Sequence, residues 1–410
     1  MKYKCGSMFL ATLVTCGIGF AQTKQTAVED FKPSSTNQPD KQYPQVNSEG
    51  RVRARISAPQ AQRVQLDIGA VKYDMTKDTG GVWTGDSNPQ DEGFHYYQLW
   101  VDGAAVPDPS SLYFYGASRW GSGIEIPAKD QDFYALKNVP HGQLRENHYF
   151  SKSTNAVRRC FVYTPPGYDE KTNNRYPVLY LQHGMGENET GWGNQGHTGL
   201  IMDNLIAEGK TKPLIIVMDN SSVTFPAGAR PGMAPRRPGT ADSVSSVDTS
   251  RARRGGFGNF NFAAQFEKIL IEELIPYIDA NFRTLPDQAH RAMAGLSMGG
   301  MQTRQITLAH LDKFSHIGIF SGGSISMEDV NGASGFKEKV KLVFVSFGSR
   351  ELENRRPGGG GPFGGDPKVN ATALKEAGIN SQFYVSPLTA HEWQSWRRSL
   401  HEFAPLLFKN

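Results

Sequence analysis

Ala292-Met293-Ala294-Gly295-Leu296-Ser297-Met298-Gly299-Gly300 is the stretch from which the architecture of this chain is best read. A short apolar run leads into Gly-x-Ser-x-Gly, and residues 301–309 beyond it suit a helix. Strand, Gly-x-Ser-x-Gly and helix in that order describe a nucleophile elbow. The turn is so sharp that residues flanking the serine must be small, since larger side chains would strike the strand or the helix. The serine hydroxyl is then presented at a sheet edge beside a helix N-terminus, whose dipole favours nearby negative charge. With 44 glycines in the chain the five-residue pattern alone is weak, and its flanks give it meaning.

The chain has 410 residues, more than one typical core occupies, which suggests two domains. A net charge of +4 is small and implies neither a nucleic-acid nor a membrane partner. Arg230, Arg236, Arg237, Arg251, Arg253 and Arg254 share one Gly/Pro/Ser-rich stretch and read as a solvated loop. Residues 1–21 resemble an export signal: Lys2 and Lys4, an apolar core over 8–20, and a small-x-small site ending at Ala21. The apolar run is too short for a membrane span. Lipidation at Cys16 is disfavoured by Thr15 before it, so the expectation is a periplasmic or secreted protein. Cys5 and Cys16 fall in the signal, leaving Cys160 alone in an apolar strand, without an internal disulfide partner.

Residues 22–48 are polar and read as a flexible leader. Period-two alternation follows, with Val52, Ala54 and Ile56 opposite Arg51, Arg53 and Arg55, then again around Leu66 and Leu99. Short alternating runs separated by turns predict a β-sandwich over 49–138. Trp83 and Trp100 read as core there rather than as sugar platforms. From 139 onward the pattern changes to apolar strands at 158–163, 176–181, 214–218 and 342–346. Amphipathic helices lie between them, notably 262–282. Such alternation predicts an α/β domain with a mostly parallel sheet covered on both faces.

A serine needs a base, and the base an orienting acid, in the chain order Ser, acid, His at successive strand ends. Of ten histidines, His310, His316, His391 and His401 follow Ser297. His310 and His316 fall on the wrong sheet edge and His401 deep in a helix. His391, after the strand 383–386, is the base, and it is expected to open a helix. Glu351, the first carboxylate after the strand 342–346, is the candidate acid. Asp366 is its rival beyond a Gly-rich segment. The oxyanion needs preorganised backbone donors, for which the amides of Met298 and Met185 are placed. His183 reads as a support of the second donor loop rather than as a metal ligand, and no metal is expected.

His183-Gly184-x-Gly186, Gly295 to Gly300, and His391-Glu392-Trp393-x-x-Trp396-Arg397 together resemble carbohydrate esterase family 1, the esterase D-like group. The resemblance covers about 140–408 and implies an α/β-hydrolase fold with Ser297 as nucleophile and His391 as base. It implies hydrolysis of feruloyl or acetyl esters on plant cell-wall polysaccharide such as xylan, with no cofactor. Glu351 stands where many relatives carry aspartate, and the 221–258 insertion departs from compact relatives. Ala58-Pro59, Trp83, Tyr96-Tyr97, Val101-Asp102-Gly103 and Asp108-Pro109 resemble early-set immunoglobulin-like modules that precede many carbohydrate-active enzymes. Trp192, Phe225, Phe257, Phe260 and Trp393 are candidates for an acyl slot. Three rival readings remain: an acyltransferase or enterochelin-type esterase on the same residues, a peptidase, and a non-catalytic carbohydrate-binding protein.

Overall fold

The computed structural model describes residues 28–222, 263–353 and 365–409. In the N-terminal part the alternation becomes two antiparallel sheets. One has five strands, in the spatial order Lys32–Pro33, Gln45–Val46, Val52–Ser57, Val82–Asp86 and Thr76–Lys77. The other has six, ordered Tyr113–Gly116, Arg119–Ile126, Gly93–Val101, Val64–Ile68 and Val71–Asp74, with Ala104–Val106 also on Gly93–Val101. Val52, Ala54 and Trp83 from one sheet meet Leu66, Tyr97, Leu99 and Ile124 from the other in a single core. This is the packing of a sandwich.

Trp83 is buried with its indole N–H on the Ala58 carbonyl, and half-buried Trp100 donates to Asp67 at 2.8 Å. The leader needs correcting. From residue 28 the chain is part of the fold, because Lys32–Pro33 pairs with Gln45–Val46, which extends the five-stranded sheet through Val52–Ser57. Composition missed these strands because they are only two residues long.

The second part is built on eight strands. They are β1 (Gln143–Ser151), β2 (Ala156–Thr164), β3 (Val178–Gln182), β4 (Ile215–Asp219), β5 (Arg291–Leu296), β6 (His316–Phe320), β7 (Leu342–Gly348) and β8 (Ser381–Ser386). Their spatial order is β1-β2-β4-β3-β5-β6-β7-β8. The β1–β2 and β2–β4 pairs are antiparallel and every other pair is parallel. Strands β3 to β7 are buried along their whole length, as a sheet covered on both faces requires. Leu179 and Leu181 face α1 (Thr198–Ala207) and the C-terminal helix Trp393–Phe403. Val178 and Tyr180 face the helical run 264–281 (α2). The chain is thus an α/β-hydrolase fold preceded by a β-sandwich.

Three local features depart from expectation, each for a physical reason. The α2 run is helical as expected, but its middle, Leu270–Leu274, is π-wound. Pro276 has no N–H to give and its ring crowds the preceding turn, which a wider turn relieves. The helix after the elbow, α3 (Met298–Ala309), starts directly after Ser297 rather than at 301. The last helix, α6 (Trp393–Phe403), starts two residues after His391, with Glu392 extended at φ −153° and ψ 167°. His391 therefore lies on a loop. Between these helices lie α4 (Ser349–Glu353) and α5 (Pro367–Glu376).

Among the described residues no helix is long and apolar enough to cross a membrane. The export signal, Phe225, Phe257, Phe260 and nearly all of the 221–258 insertion lie outside the described residues.

Candidate active site

Ser297 has φ 53° and ψ −115°, a conformation that non-glycine residues rarely adopt. Holding it costs roughly 1–3 kcal/mol, which the surrounding packing must supply. The glycines explain how. A Cβ on Gly295 would lie 2.4 Å from the Gly299 carbonyl carbon, and one on Gly299 would lie 2.6 Å from the His183 carbonyl oxygen. β5, α3 and the 183–186 loop are thereby brought into mutual contact. The Ser297 amide donates to the Phe320 carbonyl at 2.8 Å, fixing the turn against β6.

His391 Nε2 lies 2.8 Å from Ser297 Oγ, and His391 Nδ1 lies 2.8 Å from Glu351 Oε2. With Glu351 ionised, Nδ1 carries the proton and donates, leaving Nε2 to accept from the hydroxyl. The imidazole stands edge-on to Trp396 at 5.2 Å between ring centroids. Glu351 Oε1 accepts from Ser321 Oγ at 2.7 Å and from the Gly348 amide at 2.8 Å. Ser321 Oγ in turn accepts from the Trp396 indole at 3.1 Å. Burial works against the carboxylate charge, yet the donors, His391 first among them, outweigh it and hold the carboxyl below its ordinary value. An ionised carboxylate of this kind orients an imidazole and stabilises it when it is protonated.

Met298 heads α3, so its amide is among the leading N–H groups that a helix leaves without a partner of its own. On the other side, a Cβ on Gly184 would lie 3.3 Å from Ser297 Cβ, which sets the 183–186 loop beside the hydroxyl. His183 is buried, with Nδ1 at 2.7 Å from the Gly184 carbonyl and Nε2 accepting the Ser221 amide at 3.0 Å. Burial lowers its pKa, so the ring is neutral. Both nitrogens are engaged, and the residue braces the loop as expected.

Glu351 was expected beside His391, and the structure places it there. Asp366 is a helix cap instead: its carboxylate accepts the Lys368 and Val369 amides at the head of α5. His310 is bonded to Glu267, and His316 opens β6 at the edge away from the elbow.

Two expected substrate contacts need correction. Trp192 and Trp393 are 1% and 2% exposed and pack edge to face at 5.5 Å, within the core under the sheet. Their bulk fills space there and offers no face to a ligand. Ser321 went unrecognised in the sequence, although a serine at φ 51° directly after a buried strand occupies a strand-end position like those of Glu351 and His391.

Residues 151–406 match the family described as Putative esterase. The chain is 44% identical over 389 residues to the endo-1,4-beta-xylanase/feruloyl esterase of Xylanibacter ruminicola, covering 93% of this chain and 48% of that protein. It is 25% identical over 283 residues to endo-1,4-beta-xylanase Y of Acetivibrio thermocellus, covering 62% of this chain and 22% of that one. The chain therefore spans about half the length of the first relative, or less for the second.

Among solved structures, a ferulic acid esterase from Anaeromyces mucronatus shares the fold. Its TM-score is 0.50 at 22% identity, over 68% of this chain and 96% of that one. An enterobactin esterase from Shigella flexneri has a TM-score of 0.57 at 16% identity, over 87% of this chain and 92% of that one. The second covers more of this chain than the eight-stranded part supplies, so its likeness extends into the N-terminal sheets. With the elbow, the hydrogen-bonded serine and histidine, and a family match over most of its length, this chain belongs to the putative esterase family.

Proposed function

We propose that this protein is a serine esterase that removes feruloyl groups from plant cell-wall polysaccharide. The observation that carries this reading is the line of two 2.8 Å hydrogen bonds from Ser297 through His391 to Glu351, built on the elbow. Ser297 Oγ attacks the ester carbonyl while His391 Nε2 takes its proton. The carbonyl oxygen becomes an oxyanion facing the amides of Met298 and Met185. Collapse expels the sugar alcohol, which receives the proton from His391, and leaves an acyl group on Ser297. Water attacks that ester with His391 again as base, releasing the acid and restoring the serine. Glu351 stays ionised throughout and fixes the imidazole.

The feruloyl preference is supported by the Xylanibacter ruminicola relative, an endo-1,4-beta-xylanase/feruloyl esterase aligned over nearly the whole of this chain. The test compares methyl ferulate with acetylated xylan as substrates for the purified protein and for Ser297→Ala. Ferulate release that disappears in Ser297→Ala supports the reading. Preferential release of acetate would transfer the specificity to acetyl esters, and unchanged hydrolysis by Ser297→Ala would sink the serine mechanism. We also propose export through residues 1–21, supported by the charged start, apolar core and small-residue site. N-terminal sequencing of protein recovered outside the cytoplasm should then begin at Gln22, and an intact Met1 would contradict it.

A further inference from the structure

The loop that carries Met185 is held from the sandwich as well as from the hydrolase sheet. Strands Tyr113–Gly116 and Arg119–Ile126 are joined by a two-residue turn, Ala117-Ser118, with φ 50° and 62°. Positive φ at both central residues is the type I′ geometry. For residues with a Cβ it costs roughly 1–2 kcal/mol each. The Ser118 amide donates to the Gly186 carbonyl at 2.8 Å. Gly186 is itself at φ 80°, and a Cβ there would lie 3.3 Å from Ala117 Cα.

One residue further on, Glu187 is buried, and Tyr96 Oη from the strand Gly93–Val101 lies 2.9 Å from both of its carboxyl oxygens. Tyr96 Oη accepts from Gln195 Nε2 at 2.6 Å and from the Trp393 indole at 3.4 Å. Gln195 Nε2 also donates to the Tyr115 carbonyl at 2.8 Å. Burial pushes the Glu187 carboxyl up to about 8, so it is predominantly a neutral acid at neutral pH, in keeping with its having no cationic partner among the described residues.

We propose that the sandwich is a positioning part of the oxyanion hole: Ser118 and the Tyr96–Glu187 pair fix the 183–187 loop so that the Met185 amide faces the developing oxyanion. Tyr96 and Glu187 are positioning residues, and this role rests on the esterase reading above. An amide that meets negative charge only in the transition state acts on kcat rather than on KM.

The test uses the full-length enzyme on methyl ferulate, with Tyr96→Phe, Glu187→Ala, Glu187→Gln and Ser297→Ala. Tyr96→Phe and Glu187→Ala are expected to lower kcat about tenfold or more, towards the roughly 10²–10³ of a lost oxyanion donor, with KM within about twofold. Glu187→Gln, which keeps the acceptor and matches the neutral acid, is expected to restore most of kcat. Hydrogen exchange of amides 184–187 is expected to quicken in the first two variants. Unchanged kcat in Tyr96→Phe and Glu187→Ala, a loss confined to KM, or Glu187→Gln as impaired as Glu187→Ala would each overturn the proposal. Tyr96→Phe decides the matter if Glu187→Ala does not fold. An active Ser297→Ala would instead remove the esterase reading on which the role depends, so the two failures are distinguishable.

Discussion

At Ser297 the backbone rather than the hydroxyl is unusual, and the same economy runs through its partners. Glu351 is ordinary chemistry made specific by three donors: His391, Ser321 and the Gly348 amide. Glu351→Gln keeps the size but loses the charge and can present an N–H to the imidazole. That variant should lose roughly 10³–10⁴ in kcat with KM little changed, as steady-state rates on methyl ferulate will show. The raised Glu187 carboxyl should also show in stability. Its folded value of about 8 stands above its ordinary 4.5. Between these values the folded state keeps a proton that the unfolded chain releases, so stability falls as pH rises, by up to about 1.4 kcal/mol per pH unit. Glu187→Gln has no such proton. Its melting temperature relative to wild type should therefore climb from pH 5 to pH 8 in calorimetry, and a constant difference would contradict the burial argument.

Elements place these residues, and glycines place the elements. β5, α3 and the 183–186 loop approach so closely at Gly295 and Gly299 that a methyl group fits at neither. Gly299→Ala would push against the His183 and Gln182 carbonyls, both backbone atoms. It should reduce activity at least tenfold, about 1.4 kcal/mol of transition-state stabilisation, while circular dichroism still reports a folded chain. Wild-type activity in that variant would mean the elbow tolerates a shift. The elements were also the scale at which the sequence was most legible. Ser297, Glu351 and His391 could be named because each follows a strand, and strands β5, β7 and β8 are apolar or alternating runs. Asp366 failed as a rival for a local reason: it precedes Pro367, which places it at a cap. Trp192 and Trp393 were misjudged because composition cannot tell an aromatic that lines a slot from one packed beneath it.

For the whole molecule, the sandwich and the hydrolase sheet share more than a linker. Arg397 in α6 is fully buried and forms a two-pronged pair with Glu125 of the sandwich at 2.6 and 3.0 Å. Arg398 meets Asp130 in the same way, and Arg350, next to Glu351, pairs with Asp91. The sandwich thus touches the helix after His391, the helix bearing Glu351 and the loop bearing Met185. The individual pairs were not legible in the sequence, since their partners lie far apart along the chain: 272 positions for Arg397–Glu125 and 91 for Tyr96–Glu187. No local period or spacing encodes such pairs. Glu125→Ala would leave a buried guanidinium without its anion, which should cost about 3–5 kcal/mol in urea unfolding. A change below 1 kcal/mol would show that the two halves are held together by other contacts.

In the proposed reaction Ser297 carries the acyl group. Mixing the enzyme with methyl ferulate, quenching in acid during the first turnover and mapping peptides by mass spectrometry tests it directly. A feruloyl adduct is expected on the peptide containing Ser297 and absent in Ser297→Ala, which should also be inactive. An adduct on another residue, or turnover that persists in Ser297→Ala, would contradict it.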